Sequence, residues 1–78
     1  MDSKTLQDTL NRLHQELGRS SGVDATSRES LAMLLRDAQS QPPERHRLEA
    51  LAVHFESEHP RLADGLRELV ELLSRAGV

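Results

Sequence analysis

The segment from Phe55 to Val78, FESEHPRLADGLRELVELLSRAGV, leaves a chain like this few folds to choose from. Leu62, Leu66, Leu69 and Leu73 recur at intervals of four, three and four, and Ala63 and Val70 widen the stripe. At 100° per residue these six positions form one broad apolar face. Arg61, Asp64, Arg67, Glu68, Glu71 and Arg75 fall mostly on the other side. His59-Pro60 marks the start: proline at the first helical position gives up an N–H that has no intrahelical partner, and its φ already suits a helix. Gly77 supplies a stop, with Arg75 favourably placed near the negative end of the dipole. Glu71 and Arg75 stand four apart in the favourable order for an ion pair. A face this apolar must bury itself against partner helices.

The preceding chain offers three. Leu6, Leu10, Leu13 and Leu17 repeat at four, three and four as a narrow seam, with Ser3 as cap, Asp2 at the start, Asp8 and Arg12 as a surface pair, and Gly18 as the stop. Arg19-Ser20-Ser21-Gly22 reads as a loop. A second helix starts at Asp24 or at Thr26, where Thr26 to Glu29 fits a capping box, and buries Leu31, Leu34, Leu35 and Ala38. Pro42 and Pro43 open a third, with Leu48, Leu51, Ala52 and Phe55 inward. The residue before a proline is pushed out of the helical region, so this helix should stop near Glu58.

The expectation is an all-α protein, one domain over residues 1–78, with helices at about 3–17, 25–39, 43–58 and 60–76. A sharp turn at His59-Pro60 closes a short four-helix bundle; a mere kink leaves helical hairpins completed by dimerisation. A chain of 78 residues with no cysteine and one aromatic, Phe55, has no staple and few large anchors, which makes oligomerisation attractive.

Composition excludes several function classes. Ten basic and thirteen acidic residues are spread over the chain, an ordinary surface with no phosphate-binding bias. The densest basic cluster, Arg45-His46-Arg47, sits beside Glu44 and Glu49 with no aromatic for base stacking. No apolar run is long enough to span a membrane, the acidic residues of the last helix do not suit an anionic lipid surface, and MDSKTLQDTL lacks the pattern of a signal peptide. The expectation is a cytoplasmic protein with neither nucleic-acid nor membrane partners. Without cysteine or a nucleophile motif it is read as non-enzymatic, with no cofactor and no catalytic residues. Ser20-Ser21-Gly22 lacks the lysine and glycine spacing of a phosphate loop. His14 reads as a boundary histidine beside Leu10 and Leu13.

Two readings remain. The leading one is a protein–protein interaction or self-associating module. Met33, Val53 and Leu72 fall off their stripes and are the candidate interface residues. The alternative is a metal- or ligand-binding bundle using His54, Glu56, Glu58 and His59, because Glu-x-x-His places two ligands one turn apart, as in carboxylate-bridged bundles.

The chain also resembles a small bacterial family of unknown function, DUF4404. The likeness rests on Met1-Asp2 before the leucine-spaced helix, on Val23-Asp24 with Ser27-Arg28-Glu29, on Phe55-Glu56 with His59-Pro60 and Leu62-Ala63, and on Gly77-Val78. The stretch from Gln39 to Glu44 is short and proline-rich in this chain, whereas members of the family are often richer in Glu and Lys there. The resemblance implies a short bacterial helical protein and carries no catalytic residue to transfer.

Overall fold

A computed structural model describes the backbone of residues 3–75 and the side chains of residues 5–75. Four helices follow in order: α1, Ser3–Arg19; α2, Ala25–Asp37; α3, Arg45–Phe55; and α4, Pro60–Arg75. The expected roles of Asp2, of the Ser3 side chain and of Gly77 lie outside the described residues.

The leucine stripes bury each other. Leu10, Leu13 and Leu17 of α1, Leu31, Leu34 and Leu35 of α2, Leu48, Ala52 and Phe55 of α3, and Leu62, Ala63, Leu66, Leu69 and Leu73 of α4 form one continuous core. Each helix is too short to be stable by itself in water, so this shared burial holds them. The Cα radius of gyration is 11.5 Å, equal to the value of about 11.5 Å for a compact domain of this length.

The His59-Pro60 junction is a turn. Residues 56–58 leave the helix, and the His59 amide donates to the Phe55 carbonyl at 2.8 Å. The His59 carbonyl then accepts from the amides of Leu62 and Ala63, which places Pro60 at the first helical position. The chain therefore reverses, and α3 and α4 pack as an antiparallel hairpin, the most extensive helix pair. The bundle closes within one chain.

Several helix ends differ from expectation, each for a local reason. α1 runs through Gly18 to Arg19. Its last carbonyls do not need a left-handed glycine, because other groups take them. The amide and hydroxyl of Ser20 both donate to the Glu16 carbonyl, and the Arg28 guanidinium donates to the carbonyls of Leu17 (2.8 Å) and Ser20 (2.7 Å). A cation at this end also suits the helix dipole. The left-handed turn falls at Gly22, φ 84°. Asp24 is the cap of α2: its carboxylate accepts from the Ser27 amide at 3.1 Å, which leaves Thr26 inside the first turn. α2 ends at Asp37 and α3 begins at Arg45, so Pro42 and Pro43 precede the third helix.

One small residue sets the α1–α4 approach. A Cβ added to Gly65 would stand 2.5 Å from Leu13 Cδ2 and 3.0 Å from Leu13 Cγ. Mid-helix glycine costs about 1 kcal/mol relative to alanine. At this position it creates the space in which Leu13 sits. Arg12 pairs with Glu68 across this seam, in place of the expected partner Asp8. Thr9, 1% exposed beside it, satisfies its hydroxyl on the Thr5 carbonyl at 3.1 Å.

Candidate interaction surface

α3 has apolar side chains on both sides, and its outward Val53 is more exposed than Met33, the outward apolar residue of α2. Leu48, Ala52 and Phe55 point into the core, while Val53 and Ala50 point out. Val53 is 66% exposed. It lies over an open groove of about 330 Å³ between α3 and α4, lined by Glu49, Ala52, Val53, Arg67 and Val70. The antiparallel hairpin fixes where these residues stand. Glu49 comes early in α3 and Val70 late in the lining stretch of α4, so they share one end of the groove. Val53 and Arg67 share the other. The two valines therefore occupy one diagonal of the groove and the two charges the other. Arg67 is also paired with Glu56 at 3.2 Å, with both side chains about half exposed.

The three off-stripe residues do not gather. Val53 lines the groove. Met33, 48% exposed, lies on α2 outside that lining. Leu72 is buried, 9% exposed, which corrects its expected place on the surface. Val70, read in the sequence as part of the buried stripe, is half-buried and faces the groove. Glu49 and Arg67 carried no signal in the sequence, because a surface charge gains meaning only from what stands opposite it.

The four residues of the metal reading diverge. His54 Nε2 lies 2.8 Å from Ser27 Oγ on α2. Glu56 turns to Arg67. His59 is half-buried with its ring edge-on to Phe55 at 6.0 Å, and Glu58 is exposed in the turn. Among the described residues no group of three or more His, Asp or Glu side chains is placed to hold a metal ion. The helix break after Phe55 separates the one pair that a continuous helix would bring together, His54 and Glu58 four residues apart, and the tie of Glu56 to Arg67 removes a third candidate.

Ser27 and His54 invite a chemical comparison, since a hydroxyl 2.8 Å from an imidazole is the geometry of a nucleophile and its base. In a catalytic triad the acid holds the other ring nitrogen of the histidine. In this chain Asp24 is engaged at the Ser27 amide as a helix cap. Its bonds from Ser27, side chain first and backbone second, hold the Asp24 carboxyl below the ordinary carboxylate range. The arrangement ties the start of α2 to the end of α3. The remaining sequence candidates are solvated. His14 is exposed on α1. Arg45, His46 and Arg47 are exposed in the first turn of α3, where Arg47 shares a shallow groove with Asp37 and Glu44. No helix among the described residues is long and apolar enough to cross a membrane.

Compared with known families, residues 6–78 match the family described as Domain of unknown function (DUF4404), and the chain belongs to it. No curated protein and no solved structure matches the chain.

Proposed function

We propose that this member of the DUF4404 family is a non-enzymatic helical module of the bacterial cytoplasm that works by self-association. The observation that supports the reading is Val53. A large aliphatic side chain is two-thirds exposed, on a helix whose inner face is already filled, beside a groove whose floor is apolar. The leucine stripes are consumed inside the bundle, so association is not needed to complete the core. It would use an outer face instead, and the α3–α4 groove offers two valines and two opposite charges side by side on one surface, a self-complementary set. The metal-binding alternative finds no ligand cluster among the described residues and is set aside.

Amide chemical shifts followed through a dilution series test the reading. Self-association through this face predicts concentration-dependent shifts centred on Glu49, Val53, Arg67 and Val70. Shifts that stay constant on dilution, or that centre on Met33, would contradict it.

A further inference from the structure

We infer that the groove between α3 and α4 pairs with the same groove of a second copy, about a two-fold axis that runs along its valine diagonal. The inference rests on the self-association reading and adds the orientation and the residues that fix it. It comes from the symmetry of the four groove positions.

A two-fold dimer presents the same patch from both chains, so every contact from one residue to another is matched by its reverse. For two faces in contact the axis lies in the plane of the face. Four simple placements exist. An axis along the helices sets Val53 against Arg67 of the partner subunit and Glu49 against the partner's Val70. An axis across the helices sets Val53 against the partner's Glu49. An axis along the charge diagonal brings the valines together, but it also sets Glu49 on the partner's Glu49 and Arg67 on the partner's Arg67. The axis along the valine diagonal places Val53 on the partner's Val53 and Val70 on the partner's Val70. It also places each Glu49 opposite an Arg67 of the other chain, twice by symmetry. That arrangement alone satisfies apolar contact and charge complementarity together, and like charges facing each other suppress the competing one. The helix pairs of the two chains then cross instead of lying parallel.

Arg67 can serve both partners. Its guanidinium carries five N–H donors in a planar fork, so the bond to Glu56 of its own chain leaves donors for Glu49 of the other. The patch is modest. A standard interface covers about 800 Å² per partner, roughly a sixth of the 4987 Å² surface of this chain. Two valine pairs and two ion pairs at the centre of such an area fit a reversible dimer governed by concentration.

Charge reversal tests the orientation. Glu49→Arg places an arginine opposite the partner's Arg67, and Arg67→Glu places a glutamate opposite the partner's Glu49. Each single variant is expected to weaken the dimer by about tenfold or more, counting both symmetric contacts. The double variant Glu49→Arg/Arg67→Glu restores the pairs in reverse and should bind clearly more tightly than either single variant, short of the wild type because the glutamate then faces Glu56 of its own chain. Circular dichroism of each variant confirms that the helices persist. A second readout uses the absence of cysteine in the chain. Val53→Cys creates one thiol per chain, and a residue beside its own symmetry mate lies within the Cα separation of roughly 4.4–6.8 Å that a disulfide needs. Mild oxidation should convert it to a covalent dimer, while Met33→Cys stays largely monomeric. A wild type that dimerises while the double variant remains as weak as the singles, or Val53→Cys that cross-links no faster than Met33→Cys, would overturn the orientation and leave self-association standing. A wild type that is monomeric at every concentration would overturn both.

Discussion

α3 and α4 are neighbours in sequence and in space, joined by a turn of four residues, yet they do opposite work. α4 is sharply two-faced. Leu62, Ala63, Leu66, Leu69 and Leu73 are all but sealed from solvent, and Arg61, Asp64 and Arg67 stand outside. It packs against both α3 and α1, and one glycine in it sets how closely α1 can approach. α3 is shorter, has no side-chain cap at its start, and presents apolar groups on both sides. The contrast separates two uses of hydrophobicity. In α4 apolar surface is spent on the fold, apart from the half-buried Val70 at the groove. In α3 some of it is left facing water, where it does nothing for the fold and is open to another use.

Variants at the two helices should therefore fall into two classes. Leu66→Ala or Leu69→Ala removes a side chain at 0% exposure and should cost about 2–5 kcal/mol, a large part of the roughly 5–15 kcal/mol available to a small domain. Denaturant titration reads the loss, and a cost below about 1 kcal/mol would show that α4 is not the organising helix. Gly65→Ala comes next. Helix propensity favours it by about 1 kcal/mol, but overpacking against Leu13 costs about 1–3 kcal/mol, so a net loss near 1 kcal/mol is expected. Combining it with Leu13→Ala should cost less than the sum of the two single losses, since the alanine removes the clash. Strict additivity would contradict the close α1–α4 approach.

Asp24→Ala gives a smaller, pH-dependent effect. The folded carboxyl titrates below its unfolded value of about 3.9, because Ser27 bonds favour its charged form. The cap's contribution is therefore fully present above that value and is lost as pH falls through the lower folded pKa. Melting curves of wild type and Asp24→Ala should differ at neutral pH and converge in strong acid. A difference that is constant with pH would argue against an ionised cap. The smallest effect on stability belongs to Val53→Asp, within about 0.5 kcal/mol, although it should have the largest effect on association.

The sequence made much of the fold legible. Every residue of the four-three-four stripe in α4 is buried, and those of α1 are buried from Leu10 onward, because spacing fixes the face whatever it packs against. His59-Pro60 marked the start of α4 to the residue, whereas α3 ends at Phe55, three residues short of the expected stop near Glu58. It did not say whether the chain turned or kinked, which depended on where the Phe55 and His59 carbonyls found donors. Helix ends misled where distant groups did the capping: Arg28 closes α1 from the next helix, and no local rule around Gly18 could show it. Gly65 carried no signal, since its role is the volume that Leu13 occupies. The candidate surface was legible only in part. Val53 stood out as an outward aliphatic, whereas Leu72 was placed wrongly and Val70, Glu49 and Arg67 acquired significance only when the hairpin put them in one groove.

One chain closes the core, and the proposed self-association leaves the outer face of α3 for a second copy. Light scattering behind size exclusion over a hundredfold range of concentration, on wild type and Val53→Asp side by side, addresses both halves. The wild-type mass should climb from the monomer value of 8.7 kDa toward twice that, while Val53→Asp stays at the monomer value and remains fully helical. A wild type that stays monomeric throughout would remove the proposed role of the α3 face. A Val53→Asp variant that unfolds on becoming monomeric would show that the core is completed between chains, and so would contradict a bundle closed within one.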